Sequence, residues 1–83
     1  MKLDPSAVAT REQLARFVEI LRADLVENAE HWENATLERF LGALSSYIED
    51  VPGYLQNTNS SLRAEVPTWQ LFAILLCGAR VYE

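Results

Sequence analysis

The sequence predicts an all-α fold: a small bundle of three main helices, at about 11–27, 37–50 and 69–81, with short helical turns in the connections. Three observations predict it. Two segments repeat apolar residues at the spacing of one helix face. A third, from Leu71 to Ala79, carries no charge and no strong hydrogen-bonding side chain. A segment apolar on every side has to be surrounded. The C-terminal helix is therefore placed at the centre of the bundle.

Residues 1–9 read as an N-terminal tail with a turn at Asp4-Pro5, and residues 10–83 as a single helical domain. Thr10 with Gln13 three residues on is a capping-box pattern and starts the first helix. Leu14, Phe17, Val18, Leu21 and Leu25 then follow on one face. Glu12 and Arg16 stand four apart in the favourable order on its outer side. Asn28 to Asn34 has no long period and reads as a compact connection pinned by Trp32. Thr36 is the expected N-cap of the second helix, whose apolar positions are Leu37, Phe40, Leu41, Leu44, Ile48 and Val51. Pro52 disfavours helix in the residue before it, so this helix is expected to end by Val51. Residues 52–67 have a loop composition, with room for one turn around Tyr54-Leu55-Gln56. Thr68 caps the last helix. Gly42 and Gly78 fall inside predicted helices, where each costs about 1 kcal/mol against Ala. Close backbone approach, where the second and third helices cross, is the expected compensation.

Bulk properties bound the function. A chain of 83 residues, 49% apolar, is one folded domain with a thin stability margin. One cysteine, Cys77, excludes an intramolecular disulfide framework and a multi-cysteine zinc site. In an apolar helix it reads as a small buried hydrophobe. No leader is expected, because Met1-Lys2-Leu3-Asp4-Pro5 has no apolar run behind its one charge. The neutral C-terminal stretch is far shorter than the ~20 residues a membrane span needs. A cytoplasmic protein with no membrane partner is expected.

Charge is unevenly placed. From Asp24 to Asp50 lie seven acids against one base, Arg39. That segment carries a net −6, whereas the whole chain carries −5. Nucleic-acid binding needs the opposite sign, so no nucleic-acid partner is expected. An acidic field suits a basic partner.

Several residues together resemble a known family. They are Trp32-Glu33-Asn34 with Thr36-Leu37 and Phe40-Leu41; Asp50 with Gly53-Tyr54 and Asn57; Pro67 with Trp69; and Tyr82-Glu83. Over about residues 11–83 the chain resembles a small bacterial single-domain family of unknown function. The resemblance implies an all-helical cytoplasmic domain and no assigned activity, cofactor or site residue. Thr68 stands where the family pattern leads one to expect Ser, and both cap helices.

Candidate sites are weighed against structural roles. Trp32, Trp69, Phe17, Phe40, Phe72 and Leu76 read as structural. Trp32 is expected to cover the open end of the bundle against Trp69 or Phe40, its indole N–H bonded to the backbone. His31 among Glu27, Glu30 and Glu33 could approach a metal only if all converged, and reads as a solvated side chain. No Ser/His/Asp order and no Gly-rich phosphate loop is present. Glu49 and Asp50 point about 100° apart on a helix and make no acid–base pair. No catalytic residue, metal or cofactor is therefore expected, and no enzyme. Asp50 stands where the macrodipole disfavours an anion. It either caps the turn at Gly53-Tyr54 or heads an interaction loop.

Function remains open between three readings. The first is an acidic protein-interaction module, of the inhibitor or immunity type, masking a basic site on a partner. Its candidate contacts are Glu27, Glu30, Glu33, Glu38, Asp50, Tyr54 and Asn57. The second is a self-assembling homodimer built through the apolar C-terminal helix. The third is a small-molecule binder using Trp32 and Trp69. If Trp32, Tyr54 and Leu55 fail to close around the last helix, its exposed edge, at Leu71, Leu75 and Val81, becomes the binding surface itself.

Overall fold

A computed structural model describes residues 3–83. Its three α-helices are α1 (Arg11–Glu27), α2 (Leu37–Asn57) and α3 (Trp69–Ala79), with 3-10 turns at Pro5–Ala7 and Ala29–His31. Among the described residues there is no strand. The all-α three-helix bundle is therefore present.

Each helix starts on a threonine. At α1 the Gln13 amide donates to Thr10 Oγ1 (3.1 Å), and Gln13 Oε1 accepts from the amides of Thr10 (3.2 Å) and Ala9 (2.7 Å). This is a complete capping box. Thr36 Oγ1 accepts from the Arg39 amide (3.2 Å) and Thr68 Oγ1 from the Leu71 amide (3.0 Å).

The second helix departs from expectation. It passes through Pro52 and ends at Asn57, so Tyr54 and Leu55 belong to a helix and not to a loop. A proline inside a helix costs about 3 kcal/mol or more. The compensation is packing: Tyr47, Val51 and Leu55, each four residues apart, are all buried against α3. Burying each such side chain contributes about 1.5–3 kcal/mol, which outweighs the defect. The stop signal lies later. Asn59 adopts φ 54°, the Ser60 amide donates to the Leu55 carbonyl (2.9 Å), and the Asn59 amide donates to the Gln56 carbonyl (3.2 Å). That is a Schellman motif with asparagine in the left-handed position.

α3 packs against both α1 and α2, which scarcely touch each other. It divides the core in two. On one side Val8, Leu14, Phe17, Leu21 and Trp32 gather around Ala73. On the other, Tyr47, Val51 and Leu55 meet Leu71 and Ile74. The C-terminal helix is thus central. Residues 3–9, expected as a tail, form a turn that packs on α3 and buries Val8. The tail's first two positions lie outside the described residues. α3 ends at Ala79, slightly before the expected boundary near 81.

The two helical glycines differ. A Cβ at Gly78 would overlap the Tyr47 ring, with Cδ2 2.8 Å away. Gly78 is the close approach of α3 to α2. Gly42 has open space around it, so the expected crossing does not explain it. Gly78→Ala should therefore destabilise by about 1–3 kcal/mol through overpacking. Gly42→Ala should stabilise by up to about 1 kcal/mol through helix propensity. Urea unfolding of both variants checks the opposite signs.

Tyr47 also sets an alkaline limit. Burial, with smaller contributions from Tyr54, Cys77 and Tyr82, pushes its hydroxyl from 10.0 up to about 12. A group whose folded pKa is raised stabilises the fold below its unfolded pKa. That stability is lost as pH rises through the folded value. The thermal midpoint by circular dichroism should fall between pH 10 and 12, and Tyr47→Phe should flatten that fall.

Candidate functional site

The seven residues expected to face a partner separate into two groups. Glu27 closes α1, Glu30 and Glu33 lie in the connection, and Glu38 sits in the first turn of α2. All four are exposed. Asp50, Tyr54 and Asn57 stand far along α2 and line one recess with Gly78, Arg80 and Tyr82.

In that recess Asp50 does not cap a turn, because α2 continues past it. Its carboxylate accepts a hydrogen bond from the Tyr82 hydroxyl. This bond, ahead of burial and of the Asp50 charge, raises the Tyr82 pKa above its ordinary value. The Tyr47 ring lies between Tyr54 (centroids 6.0 Å apart, edge-on) and Tyr82 (4.9 Å, tilted). Tyr47 stands four residues before Val51 on the stripe of α2 that faces α3, but it was not counted among the apolar positions of the helix.

The connection before α2 is a second pinned structure. The Trp32 indole donates to Asp24 Oδ2 (2.7 Å) and the Asn28 amide group to Asp24 Oδ1 (3.0 Å). The indole bond first, then the Asn28 bond, hold the Asp24 carboxyl below its usual range. The indole was expected to find a backbone carbonyl and instead finds a carboxylate. Trp32 stacks on Phe40, with centroids 6.2 Å apart, and is buried. Asn34 Nδ2 donates to the carbonyls of Ala79 (2.9 Å) and Tyr82 (2.8 Å), and its backbone amide donates to Arg80 (3.0 Å). Asn34 thereby supplies the C-terminal cap that α3 lacks in its own sequence.

Trp69 and Phe72, expected to be structural, are only partly covered. They are 42% and 46% exposed. α3 is flanked on two sides only, so residues between those flanks face outward. Phe17, Phe40 and Leu76 do join the packed clusters. The expected exposed edge shifts accordingly: Leu71 is buried, Leu75 is half-buried, and Val81 remains exposed. Cys77 is half-buried rather than enclosed.

Two apolar hollows follow from this incomplete cover. One, of about 320 Å³, lies between α1 and α2 over Leu76, with walls at Val18, Leu25, Leu37 and Phe40. The other, an open groove of about 860 Å³, runs past Leu62, Pro67, Trp69, Phe72 and Leu75. Trp32 lines the first and Trp69 the second, so the two tryptophans do not share a pocket. Leu76 and Phe72 are one turn apart on α3.

Among the described residues no group of three His, Cys, Asp or Glu is placed to hold a metal ion. His31 lies 3.9 Å from Glu30, with both side chains largely exposed. No helix among the described residues is long and apolar enough to cross a membrane. The two hollows offer apolar contact, with Arg22 the charged side chain that lines the first.

Asn34→Ala would leave the Ala79 and Tyr82 carbonyls without their side-chain donor. It should lower stability by about 1–3 kcal/mol, read by urea unfolding, while Asn28→Ala, which removes one side-chain bond instead of two, should cost less.

No curated protein and no solved structure matches the chain. The residues that carried the sequence resemblance have the placements described above: Trp32 and Asn34 pin the connection, Asp50 ties to Tyr82, and Thr68 caps before Trp69. A family of unknown function, DUF7660, has a model that matches residues 10–83, and the chain belongs to that family.

Proposed function

We propose that the chain is a non-enzymatic, cytoplasmic protein-interaction module, of the kind an inhibitor or immunity-type protein would be, that binds a partner through its incompletely covered apolar surface. The observation that carries this reading is surface area. A compact monomer of this mass exposes about 5,000 Å². The chain exposes 5718 Å², roughly 700 Å² more than that expectation. One side of a standard interface is about 800 Å². Leu37, Leu41, Ile48, Val66, Trp69 and Phe72 are all exposed large hydrophobics, and large exposed apolar patches mark contact sites.

The acids of residues 24–50 supply selectivity. They favour a basic partner and would speed its association at low salt. A second reading, self-assembly through the same surface, is favoured by the outward position of Trp69 and Phe72 on the C-terminal helix. The absence of a convergent reactive or ligand-binding group leaves the small-molecule reading without a specific observation in its favour.

Two measurements test the proposal. Affinity capture from lysate at low and high salt should recover a discrete protein partner, with recovery reduced at high salt. Light scattering at ~100 µM should report a monomer. A monomer that recovers no partner under either condition overturns the reading, and a stable dimer replaces it with self-assembly.

A further inference from the structure

We propose that the recess bordered by Asp50, Gly53, Tyr54 and Asn57 is a receptor site for an arginine side chain of the partner protein. The inference rests on the interaction reading above for the source of that side chain. It adds a recognised group and a second place, because the recess shares no lining residue with either apolar hollow.

The recess follows from what flanks α3. α2 packs on α3 from one side, and the Pro5–Ala7 turn packs on it from another. Ile74, Cys77 and Val81 floor the space between, which measures about 770 Å³. Small-ligand sites occupy about 300–1,000 Å³. The wall on the α2 side is polar. Asp50, Gly53, Tyr54 and Asn57 follow at spacings of three, one and three, which is one face of a helix. All four are exposed.

Packing does not account for this face. The residues of α2 buried against α3 are Tyr47, Val51 and Leu55. A Cβ at Gly53 would meet nothing within 4 Å, so no neighbour requires a glycine that weakens the helix. The hydrogen bonds nearby belong to Thr58 and Tyr82, and none among the described residues uses the Tyr54 hydroxyl or the Asn57 side chain. Asp50 Oδ2 accepts from Tyr82, and no bond among the described residues uses Oδ1. With Tyr82 and Glu83, the four residues that the sequence pattern singled out along α2 line one recess.

The chemistry of the recess selects a guanidinium. Residues four apart on a helix are neighbours, so an open carboxylate oxygen of Asp50 lies beside the Tyr54 ring, which is 44% exposed. Tyr82 brings a second ring, and its bond fixes the Asp50 carboxylate. A guanidinium is planar, stacks on aromatic rings, donates forked hydrogen bonds to a carboxylate and is less hydrated than an ammonium. The apolar floor suits the methylene stem of the same side chain. Glu83 supplies a second carboxylate and Arg80 the cation of the lining, so the recess is acidic on balance and disfavours an anion. Arg80 does not fill the place itself. It makes no ion pair with Asp50 or Glu83, and its charge acts on Asp24.

The test uses Nα-acetyl-arginine methylamide, which presents the side chain as a protein does, and the citrulline counterpart, which keeps the shape without the charge. Amide chemical shifts of the full chain are followed during titration. The expected result is saturable shifts at Asp50, Gly53, Tyr54, Asn57, Cys77 and Val81, with a Kd on the order of 1 mM. The citrulline probe should bind at least ~10-fold more weakly. Tyr54→Ala should lose roughly tenfold in affinity, whereas Tyr54→Phe, which keeps the ring, should bind as the unaltered chain does. Gly53→Leu fills the open space and should abolish binding, with helicity unchanged by circular dichroism. Tyr82→Phe releases the Asp50 carboxylate without removing it, and binding should persist. Equal binding of the two probes, shifts confined to Glu27–Glu38, or no binding overturn the proposal. Free arginine that binds more tightly than the capped residue assigns the recess to a small molecule and overturns the partner as the source. Capture of a partner from lysate should fall with Gly53→Leu. A partner captured equally by chain and variant overturns the arginine inference alone and leaves the interaction reading standing. Probe binding in the recess with no partner captured overturns the interaction reading, and with it the protein source of the arginine.

Discussion

A short helix with almost no polar side chain must be covered by the rest of a small chain, and everything else in the fold answers that demand. α3 has only Gln70 to offer water as a strongly polar group. Two helices can each contribute one face. α1 contributes Leu14, Phe17 and Leu21, and α2 contributes Tyr47, Val51 and Leu55. The N-terminal segment adds Val8 and the first connection adds Trp32. These additions explain why segments without helical periodicity are nonetheless packed. They also define the shortfall, because the side of α3 that carries Trp69 and Phe72 has no element left to cover it.

The polar bonds have a different task from the apolar clusters. They hold the ends of elements at fixed places. Asp24 receives the Trp32 indole and the Asn28 side chain, which sets the angle at which the chain leaves α1. Asn34 closes the carbonyls at the end of α3, which ties the first connection to the C-terminus across 45 residues of sequence. Asp50 receives the Tyr82 hydroxyl, which anchors the same C-terminus to α2. Asp24, Asn34 and Asp50 are therefore fasteners. A chain with a thin core depends on them more than a large one would, since a bond of about 1 kcal/mol is a large part of a small stability.

The helices were legible where a local signal stood alone. Thr10 with Gln13 announces α1, and the structure bears the bond pattern residue for residue. α2 was misjudged at Pro52 because a local rule met a tertiary one. The proline defect is a fixed local cost, whereas burial of Val51 and Leu55 depends on where α3 lies, which periodicity cannot report. The true stop, Asn59 in a left-handed conformation, reads in sequence as one polar residue among several. Trp69 and Phe72 were misjudged for a related reason. Uniform apolarity says that a helix wants cover on all sides, but not whether the chain has enough elements to supply it. The acidic group at Glu27 to Glu38 was legible as a charge imbalance, and the recess that Glu33 and Glu38 share with Arg39 and Tyr82 was not.

The exposed apolar residues bear on how the fold meets water. An open apolar trough on a neutral domain would invite self-association, because identical troughs attract one another without discrimination. The net charge of −5 works against that, because a second copy brings charge of the same sign. Stability is affected less, since Glu27, Glu33 and Glu38 are exposed and surface charge contributes little to folding. The fold can therefore keep Leu37, Leu41 and Ile48 of α2 uncovered at modest cost. Gly42 fits this economy, because it stands in an exposed stretch of α2 where no neighbour requires a glycine. α2 is held firmly at Tyr47, Val51 and Leu55 and less so before them. Before them the ties are the Thr36 cap and Phe40, which stacks on Trp32, while Leu37 and Leu41 stay exposed.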